Sequence, residues 1–66
     1  MTKKEFSSKI LRCSYHHWRY VLKGERNLAI HKAKLVSQLL NTDVIVWIET
    51  GRSLDRQSAW QRFINS

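Results

Sequence analysis

Between Cys13 and His31 the chain holds its one cysteine, all three histidines and both tyrosines, together with three basic residues and an asparagine. These are Cys13, Tyr15, His16, His17, Arg19, Tyr20, Lys23, Arg26, Asn27 and His31. Three chemistries fit parts of this set. Cys13-x-x-His16 is half of a zinc site, and His31 is a third candidate ligand. Adjacent His16 and His17 diverge by about 100° on a helix, however. No second cysteine or carboxylate pair completes a set of four, so neither a metal nor another cofactor is expected. Cys13 near His16 also suggests a nucleophile and its base. Nothing supplies an orienting third group, and 66 residues leave little room for a pocket. An enzyme is not expected, nor a small-molecule ligand. The third chemistry is recognition. Tyr15, His16, Arg19 and Tyr20 are aromatic or basic, rich in donors and free of acids, which suits an anionic partner with flat edges.

The elements that must hold these residues can be read from caps and spacing. Ser14 is a good N-cap, and Gly24 takes cheaply the left-handed conformation that ends a helix. Between them Trp18, Val21 and Leu22 fall at i, i+3 and i+4, so residues 14–23 form a helix with one buried stripe. Ahead of it, Thr2-Lys3-Lys4-Glu5 is a capping box. It opens a helix that buries Phe6, Ile10 and Leu11 or Cys13 and ends near Leu11–Arg12. After a polar loop, Glu25-Arg26-Asn27, a helix from Leu28 to Leu40 is expected to bury Leu28, Ala33, Leu35, Val36, Leu39 and Leu40. Lys32 and Lys34 then face solvent, and Asn41 ends the helix. Thr42 or Asp43 caps a short fourth helix with Val44, Trp47 and Ile48 inward. Its β-branched residues also suit a strand, but a cap precedes the run and no second strand exists to pair with it. Gly51 ends that element. Ser53 caps a last helix, 53–65, with Asp55 in its first turn and Leu54, Ala59, Trp60, Phe63 and Ile64 on its apolar side. The expectation is all-α: one domain, residues 1–66, folded as a compact bundle of about five short helices.

Composition narrows the class of partner. The formal charge is +7, from 12 basic and 5 acidic residues. Residues 1–34 hold nine of the basic residues and two of the acids, whereas residues 35–66 hold three of each. A one-sided excess of this kind attracts phosphate backbones through counterion release. A single cysteine allows no internal disulfide and fits a reducing compartment. No run approaches the ~18 apolar residues of a spanning helix. Met-Thr-Lys-Lys is not followed by the apolar stretch of a secretory signal. A cytoplasmic protein without a membrane partner is expected.

The order of these features resembles the repressor- and Cro-type helix-turn-helix family, the lambda-repressor-like or XRE-type domains. The resemblance is carried by inward Cys13, the Ser14 cap, the triplet Tyr15-His16-His17, core Trp18, Arg19-Tyr20, Val21-Leu22 and Lys23-Gly24-Glu25-Arg26-Asn27. It is strongest over residues 13–40, with the two-helix motif at about 2–23. It implies that the second helix of the motif enters a DNA major groove. Tyr15, His16, His17 and Arg19 would then read base edges. Lys3, Lys4, Tyr20, Lys23, Arg26 and Asn27 would hold phosphates. The family has a helix ahead of the motif, and helix 53–65 is the expected substitute, packing on the core or dimerising. The function implied is a sequence-specific regulator binding double-stranded DNA, most simply a small Cro-like repressor, phage-borne or carried by a mobile element. Family members pair as homodimers on palindromic sites. Two other roles fit the same basic and aromatic face. One is a small protein-binding inhibitor, such as an antitoxin or anti-repressor. The other is RNA binding by stacking of Tyr and His.

Overall fold

Thr2 and Glu5 set the start of the first helix. In the computed structural model, which describes residues 1–65, Thr2 Oγ1 accepts the Glu5 amide at 3.1 Å and the Thr2 amide donates to Glu5 Oε1 at 3.2 Å. This reciprocal pair satisfies two amides that a helix start leaves free. Helix α1 covers residues 3–11, α-helical over Lys3–Glu5 and π-helical over Phe6–Leu11. The Ser7 and Ser8 hydroxyls donate to the Lys4 and Glu5 carbonyls at 2.9 and 3.3 Å. They compete with backbone amides for those acceptors, and the wider ladder takes over at that place. Arg12 ends the helix in the left-handed conformation, φ 53°, and the Arg12 and Cys13 amides both donate back to the Ser7 carbonyl. Residues 12–14 thus make the turn to the next helix without a glycine.

Helix α2 is Tyr15–Leu22, capped by Ser14 Oγ accepting the His17 amide at 3.1 Å. Trp18, Val21 and Leu22 are buried, as their spacing requires. Gly24 (φ 81°) reverses the chain, and the Glu25 amide closes the end by donating to the Tyr20 carbonyl at 3.0 Å. Space also demands glycine at this position, because a Cβ would lie 3.1 Å from the Ser53 nitrogen.

Helix α3 is Ile30–Leu40, two residues shorter at its start than expected. Leu28 is in the core but outside the helix, with its amide donating to the Trp47 carbonyl at 3.0 Å. The buried face is Ala33, Val36, Ser37 and Leu40, and Leu35 and Leu39 are exposed rather than buried. Six inward positions were too many for a single helical face, whose contact stripe is narrower. Ser37 fits inside because its hydroxyl donates to the Lys34 carbonyl at 2.8 Å. Asn41 ends α3 at φ 56°. Helix α4, Ile45–Ile48, is a helix and not a strand, with Asp43 Oδ1 accepting the Ile45 amide at 3.2 Å. Trp47 is buried, Val44 and Val46 are half-buried, and Ile48 is exposed, contrary to expectation.

Helix α5 is Ser53–Asn65. Ser53 lies inside it and is not the cap, because the carbonyl of the preceding Arg52 already accepts the Arg56 amide at 3.0 Å. Its inward stripe is Arg56, Ala59, Trp60 and Phe63. Leu54, 84% exposed, projects from the opposite side, and Ile64 lies at the exposed edge. Both were expected inside; the stripe runs through an arginine instead of through these aliphatics.

Each helix sends residues to one core. Trp18 of α2 is central, its ring centroid 5.0 Å from Phe6 of α1 and 5.7 Å from both Trp47 of α4 and Trp60 of α5. Ala33, Val36 and Leu40 of α3 close the cluster, with Phe63 and Cys13 packed against it. Large rings fill volume that so short a chain lacks the residues to fill otherwise. Trp47 Nε1 donates to Thr42 Oγ1 at 2.7 Å, whereas the buried Trp18 Nε1–H has no acceptor among the described residues. The described residues form helices and no strand. None of these helices is long and apolar enough to cross a membrane.

Candidate nucleic-acid interface

With Trp18, Val21 and Leu22 turned inward, helical geometry leaves His16, Arg19, Tyr20 and Lys23 facing outward. Tyr15 and His17 fall on the two flanks of that face. The structure agrees: Tyr15, His16, Arg19, Tyr20 and Lys23 are exposed and His17 is half-buried. The Arg19 guanidinium lies over the Tyr15 ring, 5.6 Å from its centroid, and the Lys23 ammonium over the Tyr20 ring at 5.5 Å. Such pairs hold flexible cationic chains in place while leaving their donors free. The exposed face of α2 is thus a ridge of two ring-supported cations, Arg19 and Lys23, with exposed His16 one turn before Arg19.

Beside the ridge lies a shallow groove of about 250 Å³, lined by Ser14, His16, His17, Tyr20 and Arg26. The His17 imidazole is held below its ordinary pKa, first by burial and then by the positive charges of Arg26 and Lys32. The charge of Lys32, on α3, also reaches Cys13. Burial pushes the Cys13 thiol up, opposite to the depression that makes a thiol a nucleophile. Among the described residues no three His, Cys, Asp or Glu side chains gather where a metal could bind.

The structure therefore brings His16, His17, Tyr20 and Arg26 together and sets Tyr15 with Arg19 alongside. Lys3 and Lys4 are exposed on the first turn of α1, outside the groove lining. Asn27 is differently placed. Its Nδ2 donates to Thr50 Oγ1 and its Oδ1 accepts from Arg56 Nη2, both at 3.0 Å, so both ends of its amide hold the protein itself.

Arg56 is the residue that sequence reasoning missed. It is fully buried, and all five of its N–H donors are used. Nε donates to the Val46 carbonyl at 2.6 Å. Nη1 donates to the Val21 and Arg26 carbonyls, each at 2.7 Å. Nη2 donates to Asn27 Oδ1 and to the Glu49 carbonyl at 2.9 Å. These acceptors sit at the C-terminal ends of α2 and α4 and in the loop between α2 and α3. Helix C-termini carry partial negative charge and unpaired carbonyls, which is why a lone cation is stable there. Burial and the nearby Arg52 hold its pKa below the ordinary arginine value, but the side chain stays charged. The Gly51 amide donates to the Gly24 carbonyl at 3.3 Å, adding a further tie. The loop bearing Arg26 is thus pinned to the α4–α5 corner. One signal was available: Arg56 shares the i, i+3, i+4, i+7 stripe of Ala59, Trp60 and Phe63.

Comparison with protein-family models, with curated proteins and with solved structures finds no match to this chain.

Proposed function

We propose that the chain is a sequence-specific double-stranded-DNA-binding regulator, a small repressor of the Cro-like type, that presents α2 to the major groove. The observation that carries this reading is the α2 face: exposed, acid-free, and studded with ring-supported Arg19 and Lys23. In this reading α1, the turn at residues 12–14 and α2 act as a helix-turn-helix. Tyr15, His16, His17 and Arg19 meet base edges, and Lys3, Lys4, Tyr20, Lys23 and Arg26 meet phosphates. Occupying an operator would block polymerase. Pairing with a second copy on a two-fold site belongs to the same reading. It is supported by the balanced charge of residues 35–66 and by exposed Ile48 and Leu54.

Those exposed aliphatics, with Leu35, Leu39 and Ile45, also favour a second reading, in which the chain is a small inhibitor that docks on another protein. Selection of bound duplexes from a random pool decides between the two. The first reading expects salt-sensitive retention on random duplex and enrichment of a palindromic sequence. No mobility shift of any duplex at low salt would overturn it and favour the second.

A further inference from the structure

A protein surface that reads a duplex must meet two different things, base edges that lie inside the groove and phosphates that stand along its rims. The outward ridge of α2 is convex. The concave spot lies on its flank, where His17 sits half-buried against the loop. Arg26 comes to this spot from the loop, and His16, His17 and Tyr20 from α2. Lys32 adds its field from α3, since it and Arg26 are the two charges felt by the His17 ring. No acid lines the groove. Ser14 Oγ accepts the His17 amide, and a hydroxyl that accepts one bond can still donate its own proton. The groove also opens at the start of α2, where a helix leaves its first amides unpaired and its dipole positive.

We infer that this groove seats a single phosphate group, with Arg26 as its cationic wall and the His17 ring, Ser14 and Tyr20 as further donors. The inference deepens the duplex reading, which supplies the phosphate as one phosphodiester of the backbone. It takes His17 out of the base-reading set and gives it to backbone contact. Asn27 leaves the contacting set altogether, since its amide is committed to Thr50 and Arg56. The groove is wide enough for a phosphate, and its preset position comes from the Arg56 network, which holds the Arg26 carbonyl.

The test is an NMR titration of the histidine rings in the whole protein. It is run in inorganic phosphate and again in chloride at matched ionic strength. A bound phosphate favours the imidazolium, so the His17 pKa should rise by about one unit in phosphate, with no comparable change at His31. Arg26→Ala should abolish the rise. That variant keeps the backbone carbonyl that Arg56 needs, and the same spectra report whether it is folded. An unmoved His17, or equal movement of His17 and His31, overturns the seat. A third arm adds random duplex. Duplex binding with His17 indifferent to both phosphate and duplex sinks the seat and leaves the regulator reading standing. A phosphate response without any duplex binding does the reverse.

Discussion

A buried guanidinium without a carboxylate partner needs acceptors for five N–H groups, and Arg56 has all five. Lysine keeps the charge but has three donors on a round head and cannot reproduce the planar fork. Arg56→Lys should therefore leave at least two acceptors unpaired and cost about 3 kcal/mol or more, read as a lower urea midpoint. For a chain of this length that is a large part of its stability, about 0.05–0.15 kcal/mol per residue. A wild-type midpoint would show that the network is not needed. On the exposed side of the same region the expected losses concern binding rather than stability. Arg19→Ala should weaken binding by roughly 1–3 kcal/mol and relax preference at one or two base positions. Lys23→Ala should weaken all sequences alike and lower the salt slope by about one unit. Equal losses on selected and random duplex for both changes would count against the α2 assignment. Competition binding at several salt concentrations supplies these numbers.

At the scale of elements, the chain ends its helices with left-handed residues, and these do not all stand on the same footing. Gly24 has φ 81° and packs against the backbone of Ser53, whereas Arg12 holds φ 53° with its side chain exposed. Gly24→Ala should lose more than about 1 kcal/mol, since it adds both strain and a clash to the junction of α2 and α5. Arg12→Gly should be neutral or gain up to about 1 kcal/mol by relieving left-handed strain. Thermal melts of the two variants give the comparison, and loss in both would mean that the Arg12 side chain has a structural role. The π-helical half of α1 belongs to this scale too. It places Phe6 and Leu11, both buried, on the same inward side of a short element.

For the whole molecule, charge and folding are linked through His17. Its folded pKa lies below the ordinary value of 6.5, so the unfolded chain takes up the proton first. Stability from this group is complete above 6.5 and is lost as pH falls through that value toward the folded pKa. Glu5 is also held low, chiefly by its hydrogen bonds with Thr2, but its contribution is lost only further down, below the carboxylate value of 4.5. Urea midpoints should therefore fall between about pH 7 and pH 5.5, and His17→Asn should flatten that stretch. A midpoint independent of pH in the window would remove the argument. Bound phosphate should oppose the loss, because it stabilises the charged ring.

Much of the architecture was legible because capping is chemistry within four residues. Thr2 with Glu5, Ser14, Gly24 and Asn41 each announce a boundary that the structure contains, whereas the fourth helix starts after Val44 and not directly after the expected Thr42 or Asp43 cap. The wet face of α2 was legible for the same reason, since the spacing of Trp18, Val21 and Leu22 dictates which neighbours must point away from the core. Only the tertiary structure decided which leucines are covered. Leu35, Leu39 and Leu54 lie exposed because the direction from which other helices pack is not a local property. The same holds for Arg56, whose acceptors are up to 35 positions away, and for the groove, where charges from α2, a loop and α3 meet. Periodicity tells which side chains share a face; which faces meet is set by long-range packing, and it is there that the candidate phosphate seat arises.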